Sequence, residues 1–184
     1  MSERAEILLI TGVVASGKST VAQLLAERLE RSVHLRGDVF RRMVVCGRAE
    51  PTPEMSVEAQ KQLTLRYRLA TAVAMQYLAA GFHVVYQDVI LGHNLLEVLA
   101  LLKPLSVSVV VLYPSPEAVL ERETRRDKTG YSDGWTVEAL QAELERTPGV
   151  GLWIDSTLLT PLETVEKILE RREEARITFP SRFL

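Results

Sequence analysis

The sequence predicts an α/β fold in which a parallel β-sheet carries helices on both faces. Short apolar runs rich in β-branched residues alternate with longer stretches of helical periodicity. Parallel strands need a crossover connection long enough for a helix, so this alternation places helices between consecutive strands. The 184 residues, of which 47% are hydrophobic and 25% charged, suit one globular domain over residues 1–184.

The first part of the chain contains a strand, a loop and a helix in close succession. Glu6–Thr11 is a buried strand candidate because it is almost entirely apolar, and Lys18–Glu30 repeats its apolar residues at helical spacings. Ser32–Leu35 is a short second strand. Asp38–Cys46 is predicted as a helical turn, and Gly47–Pro53 as a loop because glycine and proline punctuate it.

The middle of the chain adds two strands and two helices. Val57–Ala80 is a long predicted helix that ends before Gly81, a residue type favoured just after a helix. His83–Gln87 is the third strand, and Asn94–Lys103 is a helix that ends before a proline. Val107–Tyr113 is the strongest strand candidate because valines dominate it.

The last part of the chain contains two helices that begin with proline, which is favoured at the first helical position. These are Pro116–Arg126 and Pro161–Arg176. Between them lie a polar loop over Lys128–Gly134, a helix over Thr136–Arg146 and a fifth strand over Val150–Ile154. The prediction is therefore a five-stranded sheet.

A phosphate-binding motif lies between the first strand and the first helix. The segment GVVASGKS matches G-x-x-x-x-G-K-[ST], whose backbone N–H groups surround a phosphate and whose glycine positions leave room for it. The lysine reaches the β- and γ-phosphates, the following serine ligates Mg²⁺, and the helix N-terminus favours the anion. The candidate phosphate-binding residues are Gly12, Val13, Val14, Ala15, Ser16, Gly17, Lys18, Ser19 and Thr20.

Several classes of P-loop NTPase lack their signatures in this chain. The guanine-reading N-K-x-D segment is missing, because the single asparagine, Asn94, is followed by leucine. Asp88 and Gly92 do not have the D-x-x-G spacing of a GTPase switch, and no L-S-G-G-Q segment occurs. The chain is also short for a motor or helicase core. These exclusions favour a small kinase with one sheet and a mobile lid.

Two acidic residues follow predicted strands and are candidates for the chemistry. Asp38 comes after the second strand and Asp88 directly after the third, so both are expected at the carboxyl edge of the sheet, beside the phosphate loop. Asp38 could accept a proton from a substrate hydroxyl or orient the waters of the metal, and Asp88 has the position of a Walker B carboxylate that orients Mg²⁺. The alternative for each is a local capping role.

The candidate lid, at about residues 122–136, begins with two arginines. Arg122 and Arg126 share one helix face because they are four residues apart, and guanidinium groups there would neutralise charge on a transferred phosphoryl group. A solvated charged face is the alternative. Asp155 follows the fifth strand and is a candidate nucleotide contact, with a helix cap ahead of Pro161 as the alternative.

Four segments resemble the chloramphenicol phosphotransferase-like branch of the small P-loop kinases, which is related more distantly to gluconate and shikimate kinases. They are Ile10–Ser19 (ITGVVASGKS), Gln87–Gly92 (QDVILG), Arg122–Arg126 (RETRR) and Gly151–Thr157 (GLWIDST). The resemblance implies a P-loop NTPase fold with strand order 2-3-1-4-5. It also implies ATP-dependent transfer of the γ-phosphoryl group to a hydroxyl, with Asp38 as the catalytic base.

The acceptor pocket is expected between residues 36–60, the long Val57–Ala80 helix and the segment after Asp88. This region is rich in arginine, which would suit an anionic or polar acceptor, although at least four of the six arginines are expected to be surface charges. They are Arg36, Arg41, Arg42, Arg48, Arg66 and Arg68. Two other functions stay open at this point: a kinase of nucleotides or nucleic-acid ends, and a non-catalytic ATP-binding regulatory protein.

Charge and cysteine content narrow the partners and the compartment. With 22 basic and 24 acidic residues the net charge is −2, which argues against a stable nucleic-acid partner. Cys46 is the only cysteine, so no intrachain disulfide can form, and no uninterrupted apolar segment is long enough for a membrane span. We therefore expect a cytoplasmic enzyme that uses ATP and Mg²⁺ with a small-molecule acceptor.

Overall fold

The structure is a computed structural model that describes residues 4–125 and 134–179. It contains five strands, β1 (Ile7–Gly12), β2 (Ser32–Arg36), β3 (His83–Gln87), β4 (Val107–Leu112) and β5 (Leu152–Ile154). They form one sheet in the order β2-β3-β1-β4-β5, and every neighbouring pair is parallel. The predicted fold class and strand order are confirmed.

Helices connect the strands, and several begin where the sequence predicts. They are α1 (Lys18–Glu27), α2 (Asp38–Arg42), α3 (Val57–Ala79), α4 (Asn94–Leu102), α5 (Pro116–Thr124), α6 (Val137–Glu145), α7 (Pro161–Glu170) and α8 (Arg172–Ala175). The side chains of Ser56, Ser115, Thr136 and Thr160 accept the capping hydrogen bonds of α3, α5, α6 and α7. Among the described residues, no helix combines the length and the apolar character that crossing a membrane requires.

The core lies on both faces of the sheet because successive residues of a strand point in opposite directions. Ile7 and Leu9 of β1 pack on one face with buried residues of α3, α4 and α6. Leu8 and Ile10 pack on the other face with buried residues of α1 and α7. The two layers of helices hold the carboxyl edge of the sheet rigidly.

Several predicted elements are shorter in the structure, and contacts of the folded chain account for three of them. The helical turn predicted over Asp38–Cys46 ends at Arg42, because Gln62 of α3 bonds the backbone of Gly47 and Ala49 and draws the chain away. The closing helix is interrupted at Arg171, and the chain after it turns toward β4. There the Ile177 N–H donates to the Val107 carbonyl at 2.9 Å. The fifth strand begins at Leu152, because Gly151 (φ 73°) lies so close to β4 that a Cβ would be 2.4 Å from the Val109 carbonyl oxygen.

The strand register brings the candidate segments to one edge of the sheet. Gln87 is paired with Ile10 of β1 on one side and with Arg36 of β2 on the other. Neighbouring strands lie about 4.8 Å apart, so the end of β2 is about 10 Å from the end of β1. The loops after β1, β2 and β3 therefore surround one crevice, which is where α/β sheets bind ligands.

Candidate active site

Glycine keeps the loop between β1 and α1 open. Gly12 has a φ of 145°, and a Cβ there would lie 2.3 Å from the carbonyl oxygen of Leu112 in β4. Gly17 has a φ of 93°, and a Cβ there would have no heavy atom within 4 Å. The first glycine is needed for space and backbone conformation, and the second for conformation alone. Ala15, with a φ of 60°, also adopts the left-handed conformation that alanine disfavours.

Lys18 and the start of α1 make the loop electropositive. The Lys18 Nζ donates to the Val13 carbonyl at 2.5 Å and to Ser16 Oγ at 3.3 Å, so the buried side chain lies along the loop. No acidic residue occurs in the first turn of α1, and its N-cap, Gly17, provides no side-chain cap. The positive end of the helix is therefore left for an anion. Ser19 and Thr20 are exposed in the same turn.

Replacing Gly12 by alanine is expected to lower stability by about 2 kcal/mol and to weaken ADP binding by about tenfold, because the loop must move away from Leu112. The melting temperature and a calorimetric titration with ADP measure the two effects. Gly149→Ala is the matched control, because a Cβ there meets no heavy atom within 4 Å and the backbone lies outside the left-handed region. Equal melting temperatures and affinities in the two variants would contradict the prediction.

Asp38 is the first residue of α2 and is held by two arginines. Its Oδ2 is hydrogen-bonded to Arg42, one turn later, and its Oδ1 lies 3.5 Å from the Arg36 Nε. Oδ1 is buried and, among the described residues, forms no hydrogen bond. The N-cap position of α2 belongs to Gly37, so Asp38 does not have the capping role that the sequence left open. Its role as a base stays a prediction.

Asp88 forms a buried ion pair that the sequence did not indicate. Arg66 of α3 contacts both carboxylate oxygens, with the Nε 2.8 Å from Oδ2, and the Val89 N–H donates to Oδ1 at 2.8 Å. Asp88 is 3% exposed and Arg66 9%. Burial raises the pKa of Tyr86, so its hydroxyl stays protonated 3.5 Å from Oδ2. That Asp88 orients Mg²⁺ stays a prediction, and its oxygens are already engaged by these donors.

The Asp88 carboxylate also lies against Gly37, the residue that precedes Asp38. A Cβ on Gly37 would lie 2.0 Å from Asp88 Oδ2, so only glycine fits at this position. The Gly37 N–H donates to the Gln87 carbonyl at 3.0 Å. The Arg66–Asp88 pair therefore sets the position at which α2 begins. In the sequence, the one signal that could have indicated it is that Arg66 lies four residues before Ala70, on a helix face that is otherwise mainly apolar.

Replacing Arg66 by methionine is expected to destabilise the protein by about 3 kcal/mol, because a buried carboxylate loses its partner. For a chain of this length the melting temperature then falls by roughly 10 °C. Arg68→Met, at an exposed position of the same helix, is the control. The double variant Arg66→Met/Asp88→Asn is expected to recover much of the loss, and a single variant as stable as the control would show that the pair is not needed.

The candidate lid is described only at its two ends, since Arg126 and most of the loop after it lie outside the described residues. Arg122 donates to the carbonyl oxygens of Ser156 (2.6 Å) and Thr157 (3.3 Å), which follow β5. Asp155 accepts from the Thr157 N–H and hydroxyl, which lowers the pKa of its carboxyl, and Thr160 rather than Asp155 caps α7. Contacts of Arg122 and Asp155 with a nucleotide stay predictions.

A cavity of about 170 Å³ lies between α2, α3 and the loop that joins them, inside the region predicted for the acceptor. Its walls are mainly apolar and include Phe40, Met43, Val44, Leu63, Leu65 and Leu69. Arg66, the partner of Asp88, also lines it, so the cavity adjoins the start of α2. The indole N–H of Trp135, just after the predicted lid loop, donates to the Pro51 carbonyl beside the cavity at 2.8 Å.

Most arginines of this region are paired with carboxylates, although the arginines outnumber the carboxylates. Arg36 and Arg42 are paired with Asp38, and Arg66 is paired with Asp88. Glu50 is paired with both Arg41 and Arg48. The expectation that at least four of the six are surface charges is confirmed, because the following four are exposed: Arg36, Arg42, Arg48 and Arg68. Three carboxylates thus pair with five arginines and offset only part of the cationic character that the sequence suggested. Burial and the neighbouring arginines still lower the pKa of the Arg41 guanidinium.

Comparison with known proteins identifies relatives along most of the chain. The AAA domain family model matches residues 7–147. The UPF0200 protein of Aeropyrum pernix is 31% identical over 176 residues, which cover 93% of this chain and 92% of that protein. An unliganded sugar kinase from Janibacter sp. has a TM-score of 0.69 and 18% identity, with 93% of this chain and 96% of that one covered. An APS kinase from Mycobacterium tuberculosis in complex with AMPPNP and APS has a TM-score of 0.67 and 16% identity. The match covers 92% of this chain and 98% of that one.

Proposed function

Because the chain belongs to the AAA domain family of P-loop kinases, we propose that it transfers the γ-phosphoryl group of ATP to a hydroxyl group of a small molecule. The observation that carries this proposal is the arrangement at the carboxyl edge of the sheet. A phosphate loop follows β1, a carboxylate lies at the start of the helix that follows β2, and that helix and α3 line a ligand-sized cavity. Family kinases of this fold use ATP with Mg²⁺.

We assign binding of the phosphates to the loop between β1 and α1. The backbone N–H groups at the start of α1 and the Lys18 ammonium stabilise the negative charge of the β- and γ-phosphates. The Ser19 hydroxyl, exposed in the first turn, suits Mg²⁺, which uses few protein ligands beside phosphate oxygens and water. When bound, Mg²⁺ would neutralise phosphate charge, and Asp88 is our candidate to orient it. Arg122, Arg126 and Asp155 remain candidates for closing the site around the nucleotide.

Asp38 is our candidate for the general base. It takes the proton of the acceptor hydroxyl as the hydroxyl oxygen forms a bond to the γ-phosphorus and the bond from that phosphorus to the β,γ-bridging oxygen breaks. ADP leaves with the electron pair of the broken bond. Arg36 and Arg42 flank this carboxylate on its two oxygens.

The proposal also includes the branch of the kinase family to which the chain is related. The segments Gln87–Gly92 and Gly151–Thr157 resemble the chloramphenicol phosphotransferase-like branch, and we place the chain near that branch within the family. We also propose that the single domain works in the cytoplasm, where the exposed thiol of Cys46 would stay reduced.

Release of ADP tests the proposed function. The protein is incubated with ATP, Mg²⁺ and a panel of alcohols, sugars, sugar acids and nucleosides, and ADP is measured by a coupled assay while the product is identified by mass spectrometry. We expect acceptor-dependent ADP formation with a phosphorylated acceptor. ADP binding together with background turnover for every acceptor would instead support the regulatory ATP-binding alternative.

A further inference from the structure

We propose that the acceptor is an uncharged alcohol whose body is apolar, such as an aromatic ring or a branched alkyl group. The inference rests on the proposed function and names the substrate class of that site. It differs from the anionic or polar acceptor that the arginine-rich sequence suggests. The cavity, the pairing of its charges and the exposed apolar side chains at its mouth support it independently.

The size and lining of the cavity suit one apolar group. Its volume of about 170 Å³ is close to the ~150 Å³ of a cavity that accepts benzene. Phe40 projects from α2, Leu63 and Leu69 from α3, and Val44 from the connecting loop. A sugar or sugar acid placed there would lose hydrogen bonds to water without gaining partners from these side chains.

The polar side chains that line the cavity are already satisfied by the protein. Arg41 is paired with Glu50, and Arg66 is held by Asp88. The amide of Gln62 donates to the Gly47 carbonyl at 2.8 Å and accepts from the Ala49 N–H at 2.9 Å. An anionic acceptor would have to share Arg41 or Arg66 with the carboxylate that already holds that side chain. A neutral acceptor leaves the whole network intact.

The mouth of the cavity leaves apolar surface uncovered. Met43 is 64% exposed, Leu65 50% and Leu69 41%, and all three line the cavity. Contacts with these side chains would bury the part of the acceptor that extends out of the cavity. Asp38 lies two residues before the cavity residue Phe40 on α2 but outside the cavity lining, so the hydroxyl of an acceptor must extend beyond the cavity to reach the carboxylate.

Two measurements on a matched panel test the substrate class. Phenylethanol and cyclohexylmethanol represent the proposed class, and gluconate, glucose and adenosine represent polar acceptors. Calorimetry with ADP and Mg²⁺ present measures binding, and ADP release from ATP measures turnover. We expect the two apolar alcohols to bind more tightly and to be turned over with a higher kcat/KM than the polar compounds.

Variants at the mouth then test the site. Leu65→Gln and Leu69→Gln are expected to weaken phenylethanol binding and to lower its kcat/KM by about tenfold each, while the affinity for ADP changes by less than about twofold. Leu96→Gln on α4 is the control, because Leu96 is 42% exposed and lies outside the cavity lining. Melting temperatures confirm that the variants fold, since the replaced side chains are already partly exposed.

The outcomes separate the inference from the proposed function. Preference for gluconate, glucose or adenosine, or unchanged phenylethanol affinity in both cavity variants, would overturn the inference. Binding of phenylethanol that the variants weaken, without ADP release for any acceptor, would support the apolar site and overturn the kinase function. Absence of both binding and turnover across the panel would overturn both.

Discussion

Replacement of Lys18 by methionine is expected to lower the rate of phosphoryl transfer by about 1,000-fold and to weaken ATP binding. Methionine keeps most of the aliphatic volume of the buried side chain but removes the ammonium group. The Nζ lies 2.5 Å from the carbonyl oxygen of Val13, inside the loop to which we assign phosphate binding. ADP release at saturating acceptor, together with calorimetric ATP affinity, measures the effect.

The matched control for this variant is Lys61→Met, at an exposed position of α3. It removes the same charge from the protein, so any effect of net charge on nucleotide binding appears in both variants. We expect Lys61→Met to retain activity within about twofold, because surface charges contribute little at such distances in physiological salt. An active Lys18→Met enzyme would contradict the assignment of the phosphate loop and, with it, the proposed mechanism.

Replacement of Asp38 by asparagine is expected to reduce kcat by at least about 100-fold while ATP affinity stays near that of the unmodified protein. Asparagine preserves the shape of the side chain but cannot accept the proton of the acceptor hydroxyl. The Arg42 and Arg36 side chains lose their ionic partner at a partly exposed site, so the effect on stability is expected to be small. Single-turnover ADP release separates the chemical step from nucleotide binding.

Glu54→Gln is the control for Asp38→Asn, because Glu54 is an exposed carboxylate in the loop between α2 and α3. It is expected to leave kcat unchanged. Equal turnover by Asp38→Asn and the unmodified protein would remove Asp38 from the role of base. A loss of ATP affinity that parallels the loss of kcat would instead assign Asp38 to nucleotide or metal binding.

The Arg66–Asp88 pair connects the nucleotide side of the site with the acceptor side. Arg66 lines the proposed acceptor cavity. Asp88 directly follows β3, and its carboxylate fills the space that a side chain on Gly37, just before α2, would need. A single buried interaction thus holds α3, the end of β3 and the helix that carries Asp38. Because a buried ion pair contributes little net stability when it is compared with apolar side chains of similar volume, positioning is the more natural explanation for it.

Local features of the structure follow directly from the sequence. The phosphate loop is eight consecutive residues whose conformation depends on Gly12 and Gly17, so its motif alone predicts it. Helices α5 and α7 begin at a proline preceded by Ser115 or Thr160, and both caps form as their residue types favour. The strand–helix alternation likewise predicts the parallel sheet, because short apolar runs must be buried between layers of helices.

The sequence by itself determined the fold class, the phosphate loop and the edge of the sheet at which Asp38 lies, because these depend on residues that are neighbours in the chain. Tertiary structure decided the character of the acceptor site. Arg66 and Asp88 are 22 residues apart, and Glu50 pairs with Arg41 only after the loop folds against α3. Packing of α2, α3 and their loop pairs most of these arginines with carboxylates and leaves a cavity with mainly apolar walls, since a charge is stabilised by the partner that the fold brings to it.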